Sequence, residues 1–460
     1  MTAGGSIVKT WCAVIGLALL AGCVTYRPQP LNPHSTLPGR IPDLTIDPRQ
    51  MPRPELASHR FDPSDGLDFT EVAMLAVVNN PDLRTARADA GIWHAYAFAA
   101  GLLPDPQLSL TADVPDPGQV AKATAYNLGL HYDVMALLTR SPRRAAARHD
   151  ARKADLNLLW QEWLVVAQAR QLFVRVTQTA QLREVLEQDR DLFADNYRRT
   201  QAALDRGLLT LVAVTPHLTA LQDVTRLIHD LERRVNQDRH DLNALLGLAP
   251  EAEVPLAGPA EPPELDEEAA LRLLPDLPRR RPDLIALQAG YAAQELRYRV
   301  AILGQFPSLS VGFTRAQDTA PIHTSGLSVS LSLPIFSRNR GPIAIEQATR
   351  QKLYDEYQQR VDLAVSGVHR ILAEQRINRR QLGEVDRGLA DLGRAAADTD
   401  LAFRSREMDA LAFANLQAAL LAKKIERISL EQSILEQQVA LQALAGGDLP
   451  VRLAPEGSAR

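Results

Sequence analysis

Four short stretches of the chain alternate apolar and polar residues with a period of two. Leu108, Leu110, Ala112 and Val114 alternate with Gln107, Ser109, Thr111 and Asp113; Tyr126, Leu128, Leu130 and Tyr132 alternate with Asn127, Gly129, His131 and Asp133. Leu309, Val311 and Phe313 alternate with Ser308, Ser310 and Gly312; Leu327, Val329, Leu331 and Leu333 alternate with Ser328, Ser330 and Ser332. Period two places the two sets on opposite faces of a strand. The pattern therefore predicts strands over about 106–115, 125–134, 307–316 and 325–334, each with one apolar and one wet face. Between these stretches the spacing becomes helical. Leu182, Leu186, Phe193, Tyr197 and Leu204 form one stripe, and Leu421, Ile425, Ile428, Leu435 and Val439 form another, interrupted by Gln432. Long helices are predicted over about 142–206, 208–246, 342–404 and 407–445. Pro142 and Pro342 each follow a strand pair, where proline suits the first turn of a helix. Sixty-odd residues make roughly 90–95 Å of helix, several times a common globular length. Such rods need partner helices, and narrow apolar stripes argue for coiled-coil packing.

The two halves of the chain match at an offset of about 200 residues. Asn80-Pro81-Asp82-Leu83 matches Arg281-Pro282-Asp283-Leu284, Pro104 falls opposite Pro307, Pro142 opposite Pro342, and Gly247 opposite Gly446. Matches in one register predict an internal repeat. Each half reads as helix, strand, strand, very long helix, turn, long helix. The repeats cover 67–249 and 279–447, separated by a proline-rich and acidic linker over 250–278. Proline in 23–66 predicts an extended tether, and 448–460 is a C-terminal tail.

Cys12 and Cys23 are the only two cysteines. Lys9 precedes the apolar run "WCAVIGLALL", the layout of a secretory signal over 1–22 and too short to span a bilayer. The run ends in Leu20-Ala21-Gly22-Cys23, which resembles the lipobox of bacterial lipoproteins. That resemblance implies cleavage before Cys23, acylation of Cys23 (palmitate included) and, with Val24 rather than aspartate following, sorting to the outer membrane. The alternative is an ordinary signal peptide in which Cys23 has no role. No other stretch reaches the ~18 apolar residues of a membrane helix, so any crossing must use strands. The net charge of −4 and pI of about 6.2 give no case for nucleic acid. Enzyme chemistry has no foothold either. The ten histidines are scattered without an H-E-x-x-H, and there is no G-x-S-x-G, P-loop or dinucleotide fingerprint. No enzyme activity, cofactor or metal is expected.

Four amphipathic strands cannot close a barrel, and open edges are not tolerated in lipid. Eight strands is about the smallest barrel, so several chains must contribute, and three would give twelve strands. The expected fold class is mainly α with a membrane β-barrel. An internally duplicated protomer supplies four strands to a trimeric 12-stranded barrel, continued by a long α-helical coiled-coil barrel.

The chain resembles the TolC-like outer-membrane efflux channels, in their lipoprotein branch. The residues that carry the resemblance are Leu20–Cys23, "RRRPDLIALQ" from Arg279 to Gln288, "SVSLSLPIF" from Ser328 to Phe336, and the doubled half. The resemblance implies a homotrimer in outer-membrane lipid, its helical part in the periplasm. It also implies two partners, a periplasmic adaptor protein and an inner-membrane transporter, of the RND type. Substrates would pass through passively. Ser308, Ser310, Ser328, Ser330, Ser332 and Asp133 would line the barrel lumen, with Asp113 facing the same way. Adaptor docking in this family uses the turns between the long helices, here 205–215 with Gly207, Leu208, Leu209 and Thr210, and 404–417 with Glu407 and Asp409. The second turn departs from the family in carrying Arg406 where a glycine is expected. Some members narrow the entrance with aspartate rings; the matching places here are Ala412 and Asn415, with Glu407 and Asp409 the nearest acids. Those two acids equally fit the start of a helix, where the dipole favours them. The basic residues Arg140, Arg143, Arg144, Arg338 and Arg340 could line the tunnel mouth or meet lipid headgroups, but a solvated surface is the first expectation. A competing reading is a lipid-anchored periplasmic coiled-coil scaffold without a pore, which leaves the alternating strands unexplained.

Overall fold

Period-two alternation is realised as one antiparallel sheet. Strands β1 (Gln107–Asp113), β2 (Ala125–Asp133), β3 (Ser308–Gln317) and β4 (His323–Ser332) pair in the order β1-β2-β3-β4. The central pair joins the two halves of the chain, with Tyr126 opposite Gln317 and Asp133 opposite Ser310. Among the described residues, β1 and β4 are open edges. The structure, a computed structural model, describes residues 25–42, 47, 51–116, 118, 123–320, 322–404 and 410–446. The expected signal segment, Cys23, Glu407, Asp409 and the 448–460 tail lie outside them. The chain divides into 1–37 and 38–460. Residues 25–37 are exposed and carry neither helix nor strand.

Within 38–460 the helices are α1 (Pro54–Ser58), α2 (Glu71–Asn79), α3 (Pro81–Ala99), α4 (Val134–Asp205), α5 (Leu211–Leu245), α6 (Glu267–Leu273), α7 (Leu277–Arg280), α8 (Pro282–Leu303), α9 (Arg340–Arg404) and α10 (Ala410–Leu444). The 72 residues of α4 and the 65 of α9 correspond to about 108 and 98 Å. No described helix is long and apolar enough to cross a membrane.

The start of α4 differs from the expectation at Pro142. Asp133, the last residue of β2, accepts a hydrogen bond from the Ala136 N–H at 2.9 Å and caps the helix directly from the strand. Pro142 therefore lies inside α4, where it gives up one backbone bond. Pro342 does fall in the first turn of its helix, since α9 begins at Arg340. Pro216 likewise stands inside α5, which begins at Leu211 rather than 208.

Shorter helices cover each rod in succession. The first part of α4 meets α3 and α8 through His94–Asp155 at 2.9 Å, Arg87–Glu162 at 3.2 Å and an Arg297–Asp150 ion pair. Further along, Leu186 and Phe193 pack with Val224, Ile228 and Leu231 of α5 and Leu421 of α10. The buried seam of α4 runs Leu186, Asp189, Phe193, Asn196, Thr200, steps of three and four. Tyr197 and Leu204, expected in the stripe, are only half-buried. The seam keeps its heptad by taking polar residues, with Asp189 held by Lys424 at 3.0 Å and the Thr200 hydroxyl bonded to the Asn196 carbonyl at 2.9 Å.

The expected tether is docked from Met51 onward. Met51, Leu56, Leu67 and Phe69 join α2, Phe173 and Val174 of α4, and Leu245 and Leu246 in the largest core. Trp163 donates to the Pro52 carbonyl at 3.1 Å and lies under the Arg53 guanidinium at 4.3 Å. Arg170 stacks over Phe69 at 5.1 Å and pairs with Glu55 at 3.7 Å. Burial pulls Arg170 down to about 10, against the opposing pull of Glu55. Proline content hid these anchors, because buried leucines spaced without period give no pattern to read. The expected linker over 250–278 is also structured: Leu67 bridges Leu256 in parallel, α6 lies within it, and α7 begins at its end and runs past it to Arg280.

The two proline motifs close the ends of the two halves in the same manner. Asn80 caps α3 by accepting from the Leu83 N–H at 2.9 Å and donates to the Leu245 carbonyl at 2.8 Å. Gly247, at φ +64°, presses on the Asn79 carbonyl. In the second half Gly446, at φ +76°, presses on the Arg280 backbone. There Arg281 makes a buried two-point bond to Asp283 at 3.0 and 2.8 Å and stacks on Trp160 at 4.7 Å.

Candidate functional site

Register sorts the sheet into two faces. Ser308 stands opposite Ser332, Ser310 opposite Ser330, and Gly312 opposite Ser328, so all five expected serines share one face. Asp133 opposite Ser310, and Ser109 and Thr111 opposite Gly129 and Asn127, extend it across the sheet. The other face carries Leu108, Leu130, Phe313 and Leu327 in one row and Tyr132, Val311 and Val329 in the next. It is left open: Leu108 and Leu110 are each 71% exposed and Leu327 is 88% exposed. At the end away from the helices this face turns polar, with Arg315, Gln317 and His323 in register beside Leu128 and Tyr126. Apolar residues of this kind normally lie inside. The Asp133 carboxylate has the additional task of capping α4.

On the wet face lies a group the alternation pattern did not single out. His131 folds over two glycines. A Cβ on Gly129 would stand 2.6 Å from His131 Nε2 and 2.7 Å from Ser109 Oγ. One on Gly312 would strike His131 Nδ1 and come within 2.7 Å of the Leu130 carbonyl. The Ser328 hydroxyl lies 3.3 Å from His131 Nδ1. A glycine two residues before a histidine on a wet face, and a second glycine at a wet-face position of the strand that pairs with it, are the sequence signal that could have revealed it.

The junctions between sheet and rods are fastened to the helix ends before each strand pair. Arg140 Nε donates to the Gly101 and Leu102 carbonyls at 3.0 and 3.2 Å. Its guanidinium is thus bound to backbone at the end of α3, not simply solvated. In the second half Asn339, at φ +53°, donates to the Ala301 carbonyl at 2.6 Å and fills the space over Gly304.

The first turn between long helices is a Schellman closure. Leu208 N–H bonds the Ala203 carbonyl and Gly207 N–H the Leu204 carbonyl, both at 2.8 Å, with Gly207 at φ +73°. Gly207, Leu208 and Thr210 are exposed and Leu209 half-buried; Leu211 and Val212 beside them are 67% and 79% exposed. An open groove lined by Val212, Pro216 and Ala220 of α5 and by Leu411 and Ala414 of α10 runs beside the turn. Behind it His217 is buried, with its ring 6.3 Å from that of Phe413. Burial lowers the His217 pKa.

His59, Asp68 and Glu71 bring three potential metal-binding side chains together. Their oxygens already serve the start of α2: Glu71 accepts from the Asp62 and Asp68 N–H groups at 2.6 and 3.0 Å, and Asp68 accepts from Thr70 and Glu71 at 2.7 Å each. That is a reciprocal helix cap, with His59 bonded to its outer oxygen at 3.0 Å.

No protein-family model matches the sequence, and no curated protein matches it. Solved structures do match the fold. A structure of CusC, described for the conformational changes accompanying folding and transmembrane channel formation, superposes with a TM-score of 0.71 at 17% identity, covering 92% of this chain and 99% of that one. The outer membrane protein VceC of Vibrio cholerae superposes at 0.70 with 15% identity over 82% and 96%. The open state of the MtrE outer membrane channel of Neisseria gonorrhoeae gives 0.70 with 15% identity over 93% and 98%. The chain has the TolC-like fold of these outer-membrane channels.

Proposed function

We propose that this chain is the outer-membrane channel of a tripartite efflux system, a passive conduit working with a periplasmic adaptor and an inner-membrane transporter of the RND type. The observation that carries the reading is the sheet: four strands with a largely exposed apolar side, a hydroxyl-lined side and, among the described residues, two open edges. Such a sheet is unstable in water and in lipid alike until its edges pair. Three internally duplicated chains pairing β1 to β4 of a neighbour make a closed barrel of twelve strands, apolar outward and wet inward. Ser308, Ser310, Ser328, Ser330, Ser332 and Asp133 then line the lumen, and the coiled-coil rods extend into the periplasm. Cys23 carries the lipid that holds the N-terminus at the outer membrane. Adaptor docking falls to the turn residues Gly207, Leu208, Leu209 and Thr210 with the apolar groove beside them, and to Glu407 and Asp409 across the second turn.

The test is oligomer mass in detergent with single-channel conductance in a planar bilayer. A trimer with steady conductance is expected. A trimer that conducts poorly should open when the 205–215 or 404–417 turn is mutated. A monomer or dimer that conducts under no condition would leave the pore-free scaffold as the better reading.

A further inference from the structure

His131 is the one imidazole among the described residues of the wet sheet face, and the sheet is built around it. Two glycines make its bed. Gly129, two residues earlier on β2, and Gly312, its direct partner on β3, are both positions where a side chain would collide with the ring or with the backbone beneath it. Ser328 on β4 faces Gly312 and holds Nδ1 at 3.3 Å. The ring is thereby spread across three strands at a defined place rather than projecting freely. Its charged and titratable neighbours on that face are few. β1 contributes Gln107 and Ser109, with Asp113 at the far end of the strand; β2 contributes Asp133, the next residue on the face, whose carboxylate is engaged at the α4 cap. β3 offers Ser310 and Thr314, and β4 offers Ser328 and Ser330, none of them titratable here. Arg315 and His323 belong to the opposite face.

We infer that His131 is an ion-selectivity site of the lumen, binding permeating anions when its imidazole is protonated and releasing that preference when it is neutral. The inference rests on the channel reading above. In a closed barrel each chain presents one such ring at the same height, so protonation adds a belt of three positive charges to a wall whose other groups are hydroxyls, amides and the carboxylates of Asp113 and Asp133. Imidazole is the side chain that ordinarily changes charge between pH 5 and 8. Rings of like charge set ion preference in pores.

Reversal potentials across a salt gradient, measured near 10 mM salt where the Debye length reaches ~30 Å and the field crosses the lumen, separate the possibilities. Wild type should move toward anions between pH 8 and 5.5, above the range in which the carboxylates titrate. His131→Gln should lose that shift, and His131→Lys should prefer anions at both pH values. The lysine variant also serves if the glutamine variant does not assemble. A pH shift that persists unchanged in His131→Gln, or a wild type with no shift, overturns the assignment while leaving the channel intact. Failure of every variant, the turn variants included, to conduct overturns the channel reading and this inference with it.

Discussion

At the residue scale, the informative positions are those where a backbone or a charge has one solution. Arg281 and Asp283 are 3% and 4% exposed and hold each other through two hydrogen bonds, with Arg360 adding a contact at 3.4 Å. Removing one member strands a buried charge, which costs about 3–5 kcal/mol. Asp283→Ala should therefore lower stability to chemical denaturation by about 3 kcal/mol or more, whereas Asp391→Ala, whose exposed pair with Arg394 lies on the surface of α9, should change it by less than about 1 kcal/mol. Gly247→Ala should be costly for a different reason: it places a Cβ at φ +64° against the Asn79 carbonyl, adding a clash to a left-handed penalty of about 1–2 kcal/mol. Both positions were visible in the sequence as repeat motifs. Their roles were not, because an ion pair between Arg281 and Asp283 and a stack on Trp160 depend on which helices meet.

At the scale of elements, periodicity served unevenly. The strands were legible because one face is apolar over most of its length, turning polar only at Arg315, Gln317 and His323, and the register of β2 with β3 follows the alternation even though the two lie in different halves. The α4 seam was half legible: Leu186 and Phe193 stand out, but Asp189, Asn196 and Thr200 are polar residues in apolar positions, and only the packed helices show them buried. The start of α4 departs from the proline rule because a side-chain cap, Asp133, outranks Pro142, whereas Pro342 does fall in the first turn of α9. The turn between α4 and α5 raises a prediction about acid. Burial depresses the His217 pKa, so the folded state favours the neutral ring. A separated tip binds the proton more readily, so stability is present above about pH 6.5 and is lost as pH falls through that ordinary value toward the depressed one. Protection factors in 211–220, which already divide out the intrinsic exchange rate, should fall on going from pH 7.5 to 5. His217→Gln should abolish that loss of protection. An equal loss in both proteins would assign the effect to another group.

At the scale of the whole molecule, the sheet leaves β1 and β4 as open edges among the described residues, and counting strands already pointed to a barrel shared by several chains. What the sequence left open was whether the two faces stay separate across all four strands, and the register answers that row by row. Val329 and Ser330 are neighbours on β4 that pair with Val311 and Ser310, so they report on opposite faces at nearly the same depth. A lysine on the lipid side of a barrel costs about 2–4 kcal/mol near the midplane. In the proposed trimer the penalty is paid three times, about 6–12 kcal/mol, comparable with the whole stability of an ordinary domain. Val329→Lys should therefore block trimer formation and membrane insertion, read as loss of the trimer band and of the protein from the outer-membrane fraction. Ser330→Lys places the same charge on the wet face, where water and counter-ions reach it. That variant should assemble and shift ion preference toward anions. If both variants assembled equally well, the hydroxyl side would have no claim to be the lumen, and the exposed leucines would have to be covered by something other than lipid.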